Sequence, residues 1–296
     1  MSTKKVLGGA ILAILIKFAA DIPGMLLCMG LLQIKVIPEP VSIALYGITY
    51  LALTILFVKL VFGKWFKLSK EELFMPKFSL KIPYVILAVV LPLAVCGMYF
   101  LLAKGHLVFN DMGQTKNIGV VTEGFFVLSV GSGFVEEILF RGVLMNLLRK
   151  RWNTAVAVIA PSVLFGLVHL MELEDCPFLD GVQLMIAGTM VGIMFSLIAL
   201  KTKSVWNSAI VHCIWNLIMC GGILTISNQP SDCFLMTYVL DSKSIALTGG
   251  EFGSEASVFA ILAYCVVAAV LLFALKKQPQ AKNETVKAAV PEFENI

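Results

Sequence analysis

The sequence predicts an all-α membrane protein, a polytopic helix bundle with about eight transmembrane helices. Of the 296 residues, 59% are apolar and only 14% are charged, and the mean hydropathy is +0.91. Apolar runs of about 20 residues, enough to cross a bilayer, recur along the chain. Between them, lysines and arginines concentrate in every second connection. These observations exclude an ordinary soluble domain, and the scattered net charge of +4 gives no indication of a nucleic-acid partner.

Each apolar run is assigned to one predicted span, and the charges of the connections give the orientation. The spans cover roughly 6–34, 41–62, 83–103, 123–148, 154–170, 182–200, 205–226 and 257–275. The N-terminus and the connections after even-numbered spans are rich in Lys and Arg, whereas the connection 171–181 is acidic. By the positive-inside rule, both chain termini are expected to be cytoplasmic.

The same pattern predicts one membrane domain over 1–277 and a polar, disordered cytoplasmic tail over 278–296. In the connection 63–82, the sequence from Ser69 to Glu72 is typical of a helix start, so a short cytoplasmic or interfacial helix is expected there. In span one, Lys17 and Asp21 are four residues apart. We expect them to form an intrahelical ion pair that lowers the cost of insertion, rather than to take part in catalysis.

The most informative charges lie in span four, where Glu136, Glu137 and Arg141 interrupt an apolar run from about Phe125 to Leu148. Together they cost roughly 8 to 10 kcal/mol at the centre of a membrane helix, and the apolar side chains return roughly 7. The helix must therefore turn its charges toward protein or trapped water. Intramembrane ionisable residues of this kind are functional candidates.

Helical spacing separates the three charges. Glu137 and Arg141 are four apart, so they share a face and are expected to form a buried ion pair. Glu136 lies about 100 degrees away around the helix and is left for chemistry. The alternative is that all three only hold the bundle together.

Three further polar groups lie in other spans. His169 ends the fifth span, and His212 and Asn216 share a face of the seventh because they are four residues apart. At about 1.5 Å of rise per residue, these groups and Glu136 all fall in the middle part of a core about 30 Å thick. They can therefore meet at one level of the membrane.

This set of groups is suited to amide hydrolysis, which needs an activated water, a proton donor for the leaving amine and a partner for the oxyanion. Glu136 can accept a proton from water, which His169 helps to hold, while His212 and Asn216 can donate to the oxyanion. In a second interpretation, Glu136, His169 and His212 bind Zn2+, which activates the water. The sequence leaves the two mechanisms open, so the cofactor is either none or zinc.

In this order, Glu136-Glu137-x-x-x-Arg141, Phe165-x-x-x-His169 and His212-x-x-x-Asn216 resemble the three motifs of the CPBP intramembrane proteases. That family includes type II CAAX prenyl endopeptidases and bacteriocin-processing or self-immunity proteins, also called the Abi family. The resemblance covers about 123–226.

It implies a helical intramembrane endopeptidase acting on a membrane-associated peptide or protein, such as a prenylated or bacteriocin-type substrate. It also assigns the catalytic glutamate to Glu136, a helper histidine to His169, and the oxyanion or ligand pair to His212 and Asn216. Glu137 and Arg141 complete the first motif.

Two other functions fit the same composition. Buried Glu, Arg and His also occur in proton- or ion-coupled transporters. A non-catalytic immunity or scaffold membrane protein is the other alternative, because a fold does not fix a function. The pair His212 and Asn216 beside an unpaired glutamate favours hydrolysis, since a proton relay does not need it.

Two of the seven cysteines fall in connections that are predicted to be extracytoplasmic. Cys176 lies in 171–181 and Cys233 in 227–256, and both connections follow spans that carry site histidines. In an oxidising compartment the two could form a disulfide; the alternative is that both remain thiols.

Overall fold

The computed structural model describes residues 1–34, 36–110, 113–174, 176–231 and 233–277, and it is a helical bundle. The fold class predicted from the sequence is confirmed, because seven of the described helices are long and apolar enough to cross a membrane. The predicted tail 278–296 and Asp175 of the acidic connection lie outside the described residues.

Eight principal helices follow the eight predicted spans. They are α1 (Thr3–Leu32), α2 (Glu39–Val58, continued by the π-helical Lys59–Trp65), α3 (Ile82–Leu102), α4 (from Gln114 to Arg149), α5 (Thr154–Met171), α6 (Phe178–Thr202), α7 (Val205–Met219) and α8 (Val258–Lys276). Side-chain oxygens of Asn153, Ser204 and Ser257 accept backbone N–H groups at the starts of α5, α7 and α8. Such caps fix where a helix begins.

The seventh span is shorter than predicted. Its helix, α7, has 15 residues and ends at Met219, whereas the apolar run continues to residue 226. The backbone leaves helical geometry at Cys220, with a φ of -123°, and Gly222 then adopts a φ of +77°, a conformation that favours glycine. The apolar residues that follow then enter a strand.

A three-stranded sheet, which the sequence did not predict, lies at the end of the bundle where α3 and α7 end. Its strands are β1 (Gly105–Phe109), β2 (Leu224–Ser227) and β3 (Met236–Leu240), in the order β1-β3-β2. β1 runs antiparallel to β3, and β2 runs parallel to it. One helical turn (Ile245–Thr248) and two 3-10 turns (Gly250–Phe252 and Ser254–Ala256) lead from the sheet to α8.

The connection between α2 and α3 forms a turn and not the short helix that was expected. The hydrogen bonds of the helix start are present: Glu72 accepts from the Ser69 N–H at 2.8 Å, and the Ser69 hydroxyl accepts from the Glu72 N–H at 3.1 Å. The backbone then leaves helical geometry at Phe74, with a φ of +54°, and Pro76 follows. A favourable first turn therefore does not propagate.

The helix α4 lies in the centre of the bundle, and every residue from Val135 to Leu147 is buried. Beside it, α5 and α6 approach closely through small residues: a Cβ on Gly188 would lie 2.6 Å from the Cα of Gly166. Close contact through small residues is the usual way in which membrane helices associate. It brings α6 close enough to contact the charges of α4.

Among the described residues no disulfide is formed, so Cys176 and Cys233 are not joined to each other.

Candidate active site

The site is built around Glu136, which lies between two π-helical stretches of α4. Gly124–Ser132 precedes it and Glu137–Leu144 follows it, and Glu136 ends the short α-helical segment Gly133–Glu136. Wider π turns change the direction in which successive side chains project, and they are frequent at functional sites. Glu136 itself is 5% exposed.

Glu137 and Arg141 form the buried ion pair that their spacing predicted. Arg141 Nη1 donates to Glu137 Oε1 at 2.8 Å, and both residues are fully buried. Arg141 Nη2 donates to the carbonyl of Gly192 on α6 at 3.1 Å, and the guanidinium lies 4.6 Å from the ring centre of Phe165 on α5. A single arginine therefore joins three helices.

His212 lies between the two glutamates. Its Nδ1 is 3.2 Å from Glu137 Oε1, and its Nε2 is 3.8 Å from Glu136 Oε2. Because an ionised carboxylate only accepts hydrogen bonds, we assign the proton of the neutral ring to Nδ1. Nε2 then faces Glu136 as an acceptor. Phe195 stacks on the imidazole at 4.7 Å and fixes its plane.

His169 and Asn216 are each held by a backbone carbonyl. His169 Nδ1 donates to the carbonyl of Phe165 one turn earlier, at 2.8 Å, which leaves Nε2 as an acceptor. Asn216 Nδ2 donates to the carbonyl of Leu128 at 2.8 Å. The amide has a second N–H, so one donor of Asn216 remains after this bond.

Glu136, His169, His212 and Asn216 all line one cavity of about 270 Å³. The structure thus brings together the four groups that the depth argument placed at one level. Glu137 and Arg141 lie behind the cavity wall and contact it through His212. A cavity of this size holds several waters and a short part of a substrate chain.

Three further charged residues line this cavity, and the sequence argument did not assign them to it: Lys17, Glu172 and Glu255. The expected Lys17–Asp21 ion pair is wrong, because Lys17 Nζ lies 2.8 Å from Glu172 Oε1, while Asp21 accepts from the hydroxyl of Tyr46 at 2.6 Å. The available signal was the position of Lys17 in the middle of an apolar span.

A zinc site needs at least three side-chain ligands that can reach one ion. Among the described residues, no three His, Cys, Asp or Glu side chains are close enough together to hold one metal ion. In addition, the ammonium of Lys17 lies 3.7 Å from Glu136 Oε1, where it competes with a metal for that oxygen. As arranged, Glu136, His169 and His212 do not fit a zinc ion.

Residues 119–218 match the family model described as Rce1-like, type II CAAX prenyl endopeptidase. These residues are similar to that family and are called the Rce1-like core below. The core runs from α4 to the end of α7 and contains Glu136, His169, His212 and Asn216, so the resemblance to the CPBP proteases is confirmed. The Rce1-like core and the apolar helices indicate an integral membrane protein with a CAAX-type intramembrane protease function. No curated protein sequence matches the chain. Lys17 and Glu255 lie outside the Rce1-like core.

Proposed function

We propose that this protein is an intramembrane endopeptidase that hydrolyses a peptide bond of a membrane-associated substrate, with Glu136 activating the water. One observation carries the proposal: within an Rce1-like core, a buried carboxylate, two imidazoles and a primary amide line the same cavity. These groups cover the proton acceptor, the water-holding group and the oxyanion donors that amide hydrolysis needs.

In the proposed reaction, water lies between Glu136 and Nε2 of His169, which accepts one of its hydrogen bonds. Glu136 takes a proton as the water oxygen attacks the scissile carbonyl carbon, and a tetrahedral intermediate with an oxyanion forms. The carbon–nitrogen bond then breaks, and Glu136 returns the proton to the leaving amine. The products are a carboxyl group and an amine, and Glu136 is regenerated.

The oxyanion is assigned to His212 and Asn216. The remaining N–H of Asn216 donates to it directly. His212 donates from Nε2 only when the ring is protonated, because Nδ1–H stays on Glu137. The carboxylate of Glu137 supports that positive charge and fixes the orientation of the ring, as a buried acid does for a catalytic histidine in other hydrolases.

Glu137 and Arg141 are proposed to position the reacting groups and not to react. Glu137 lies within hydrogen-bond distance of both Arg141 and His212, and Arg141 anchors α4 to α5 and α6. A buried pair of this kind contributes little net stability, yet removal of one partner is strongly unfavourable. We propose that the ion pair of Glu137 and Arg141 keeps the distance between Glu136 and His212 fixed.

The orientation is also part of the proposal. The positive-inside pattern supports cytoplasmic termini, and the sheet then lies on the opposite side of the membrane. We propose that the substrate is a membrane-anchored peptide or protein, such as a prenylated or bacteriocin-type chain. The cavity lies among the spans, which favours a substrate that is itself held in the membrane.

The test is cleavage by purified protein in liposomes, against a panel of membrane-anchored peptides with and without a prenyl group. Glu136→Ala, reconstituted to the same level, is the matched control. Cleavage by the wild type alone supports the proposal. If no peptide is cut and an imposed proton gradient drives the uptake of a solute into the liposomes, the transporter is favoured. If both activities are absent, the immunity or scaffold alternative is favoured.

A further inference from the structure

Lys17 reaches the catalytic cavity from α1, a helix outside the Rce1-like core. Its ammonium lies 2.8 Å from Glu172 Oε1, at the end of α5, and 3.7 Å from Glu136 Oε1. The side chain of Lys17 is 12% exposed, whereas that of Glu172 is 50% exposed. The ammonium of Lys17 therefore lies between a half-exposed carboxylate at the cavity edge, that of Glu172, and the buried carboxylate of Glu136.

Among the three central charges of α4, the two carboxylates of Glu136 and Glu137 outnumber the one guanidinium of Arg141. Glu137 is matched by Arg141, in a buried contact with good geometry. Glu136 then requires its own countercharge, because an unpaired buried carboxylate is very unfavourable. Of the described residues that line the cavity, Lys17 alone is a lysine or arginine. It is therefore the permanent cation next to Glu136.

The two oxygens of Glu136 face different nitrogens. Oε1 faces Lys17 at 3.7 Å, and Oε2 faces Nε2 of His212 at 3.8 Å. The ammonium of Lys17 attracts Oε1 of Glu136, and its shorter contact with Glu172 holds the ammonium at this position. Oε2 is thereby directed toward the histidine and the oxyanion position.

We propose that Lys17 is a positioning residue for peptide hydrolysis: held by Glu172, it supplies the countercharge of Glu136 and sets the orientation of its carboxylate. The inference rests on the proposed protease function and adds the first helix to the catalytic machinery. A misplacement of a reacting group by about 1 Å costs about 100-fold in rate, so loss of Lys17 should lower kcat by about that factor. KM should change far less, because Lys17 does not bind the substrate in this arrangement.

The first experiment compares Lys17→Met and Lys17→Arg with the wild type, using a peptide that the wild type cuts. Lys17→Met keeps about the length of the side chain and removes its charge, and Lys17→Arg keeps the charge. Lys59→Met is the matched control, because Lys59 is exposed on the π-helical continuation of α2, away from the cavity. We expect a loss of about 100-fold for Met, partial recovery for Arg and no change for the control.

A second experiment separates positioning from folding. Lys17→Ala lacks the three carbons and the nitrogen that propylamine supplies, and the cavity has room for that amine. Propylammonium should restore part of the kcat of Lys17→Ala, whereas propanol at the same concentration should not. Neither compound should restore Glu136→Gln.

The outcomes distinguish the two proposals. A wild type that cuts no peptide overturns the protease function, and the role of Lys17 with it. A wild type that cuts, with Lys17→Met at an equal rate, overturns only the role of Lys17. A loss in Lys17→Met that matches its loss of folded protein, with no amine rescue of Lys17→Ala, also overturns it and leaves a purely structural lysine.

Discussion

Oε1 of Glu137 is 2.8 Å from Nη1 of Arg141 and 3.2 Å from Nδ1 of His212. A single carboxylate oxygen therefore contacts an arginine of its own helix, α4, and a histidine of α7. Since Arg141 also reaches α6, movement at Glu137 would be transmitted to two neighbouring helices. Glu137, the second glutamate of the motif, therefore connects α4 to α7 directly and to α6 through Arg141.

Glu137→Ala should strongly destabilise the folded protein. The change leaves Arg141 buried without a countercharge, at a cost of about 3 to 5 kcal/mol, and it removes the acceptor of His212 Nδ1. Thermal unfolding in detergent measures the effect. Glu71→Ala, at an exposed site in the α2–α3 connection, serves as control. Equal melting temperatures for Glu137→Ala and the wild type would contradict this assignment.

Glu136→Gln should fold normally and lose peptide hydrolysis. The amide has nearly the shape of the carboxylate but cannot take a proton from water, so the rate should fall by at least about 100-fold. The measurement is cleavage at a matched amount of folded protein, with the melting temperature taken on the same sample. Substantial cleavage by a folded Glu136→Gln protein would reject the general-base role.

Removal of metal should leave hydrolysis intact, because Glu136, His169 and His212 do not fit one ion in the described structure. Protein dialysed against a chelator should keep its activity, and elemental analysis should find well under about one zinc per chain. Loss of activity on chelation, with recovery on added zinc, would decide for the metal mechanism.

Gly188→Ala should weaken the packing of α5 against α6. The new Cβ would lie 2.6 Å from the Cα of Gly166, so the helices must separate, at a typical cost of about 1 to 3 kcal/mol. Gly97→Ala on α3 is a close control, because nothing lies within 4 Å of its added Cβ. The melting temperatures of the two variants should differ clearly. If Gly188→Ala is as stable as Gly97→Ala, the described approach of α5 and α6 is wrong.

The turn between α2 and α3 should loosen in acid. The ion pair with Lys150, together with the Ser69 N–H, lowers the pKa of Glu72 below its ordinary value. Its contribution to stability is therefore present above the ordinary glutamate range, and it is lost as the pH falls through the lowered pKa.

Hydrogen exchange of the Ser69 and Glu72 amides, corrected for the intrinsic effect of pH, measures this loosening. Glu72→Gln keeps an acceptor for the Ser69 N–H but has no titrating carboxyl, so its protection should not vary with pH, and Glu71→Gln should behave as the wild type does. Protection in Glu72→Gln that still falls in acid would assign the pH dependence to another group.

The sequence predicted the features that depend on local pattern. Hydropathy predicted the extent of seven helices and the start of α7, because a span must satisfy its own backbone hydrogen bonds and carry enough apolar side chains. Helical spacing gave the contact between Glu137 and Arg141, since residues four apart are neighbours on one helix. The same rule failed for Lys17 and Asp21: a cross-helix carboxylate was available to Lys17, and a tyrosine to Asp21.

Features that depend on distant partners were not predictable. The strands β1, β2 and β3 are four or five residues long, and each alone is too short to distinguish from loop or span. The Ser69 to Glu72 pattern formed its hydrogen bonds, yet the backbone beyond it was decided by tertiary packing. Lys17 belongs to the site because α1 packs beside α4, and that packing depends on residues far from Lys17 in the sequence.

The sheet also restricts the order in which the protein can be completed during synthesis. Tyr238 of β3 donates to the carbonyl of Ala103, which lies 135 residues earlier and just before β1. The first strand must therefore wait while α4 to α7, with the whole Rce1-like core, leave the ribosome and enter the membrane. The pairing of β1 with β3 is therefore among the last contacts to form. A chain released before Leu240 would contain every motif residue but could not complete this pairing.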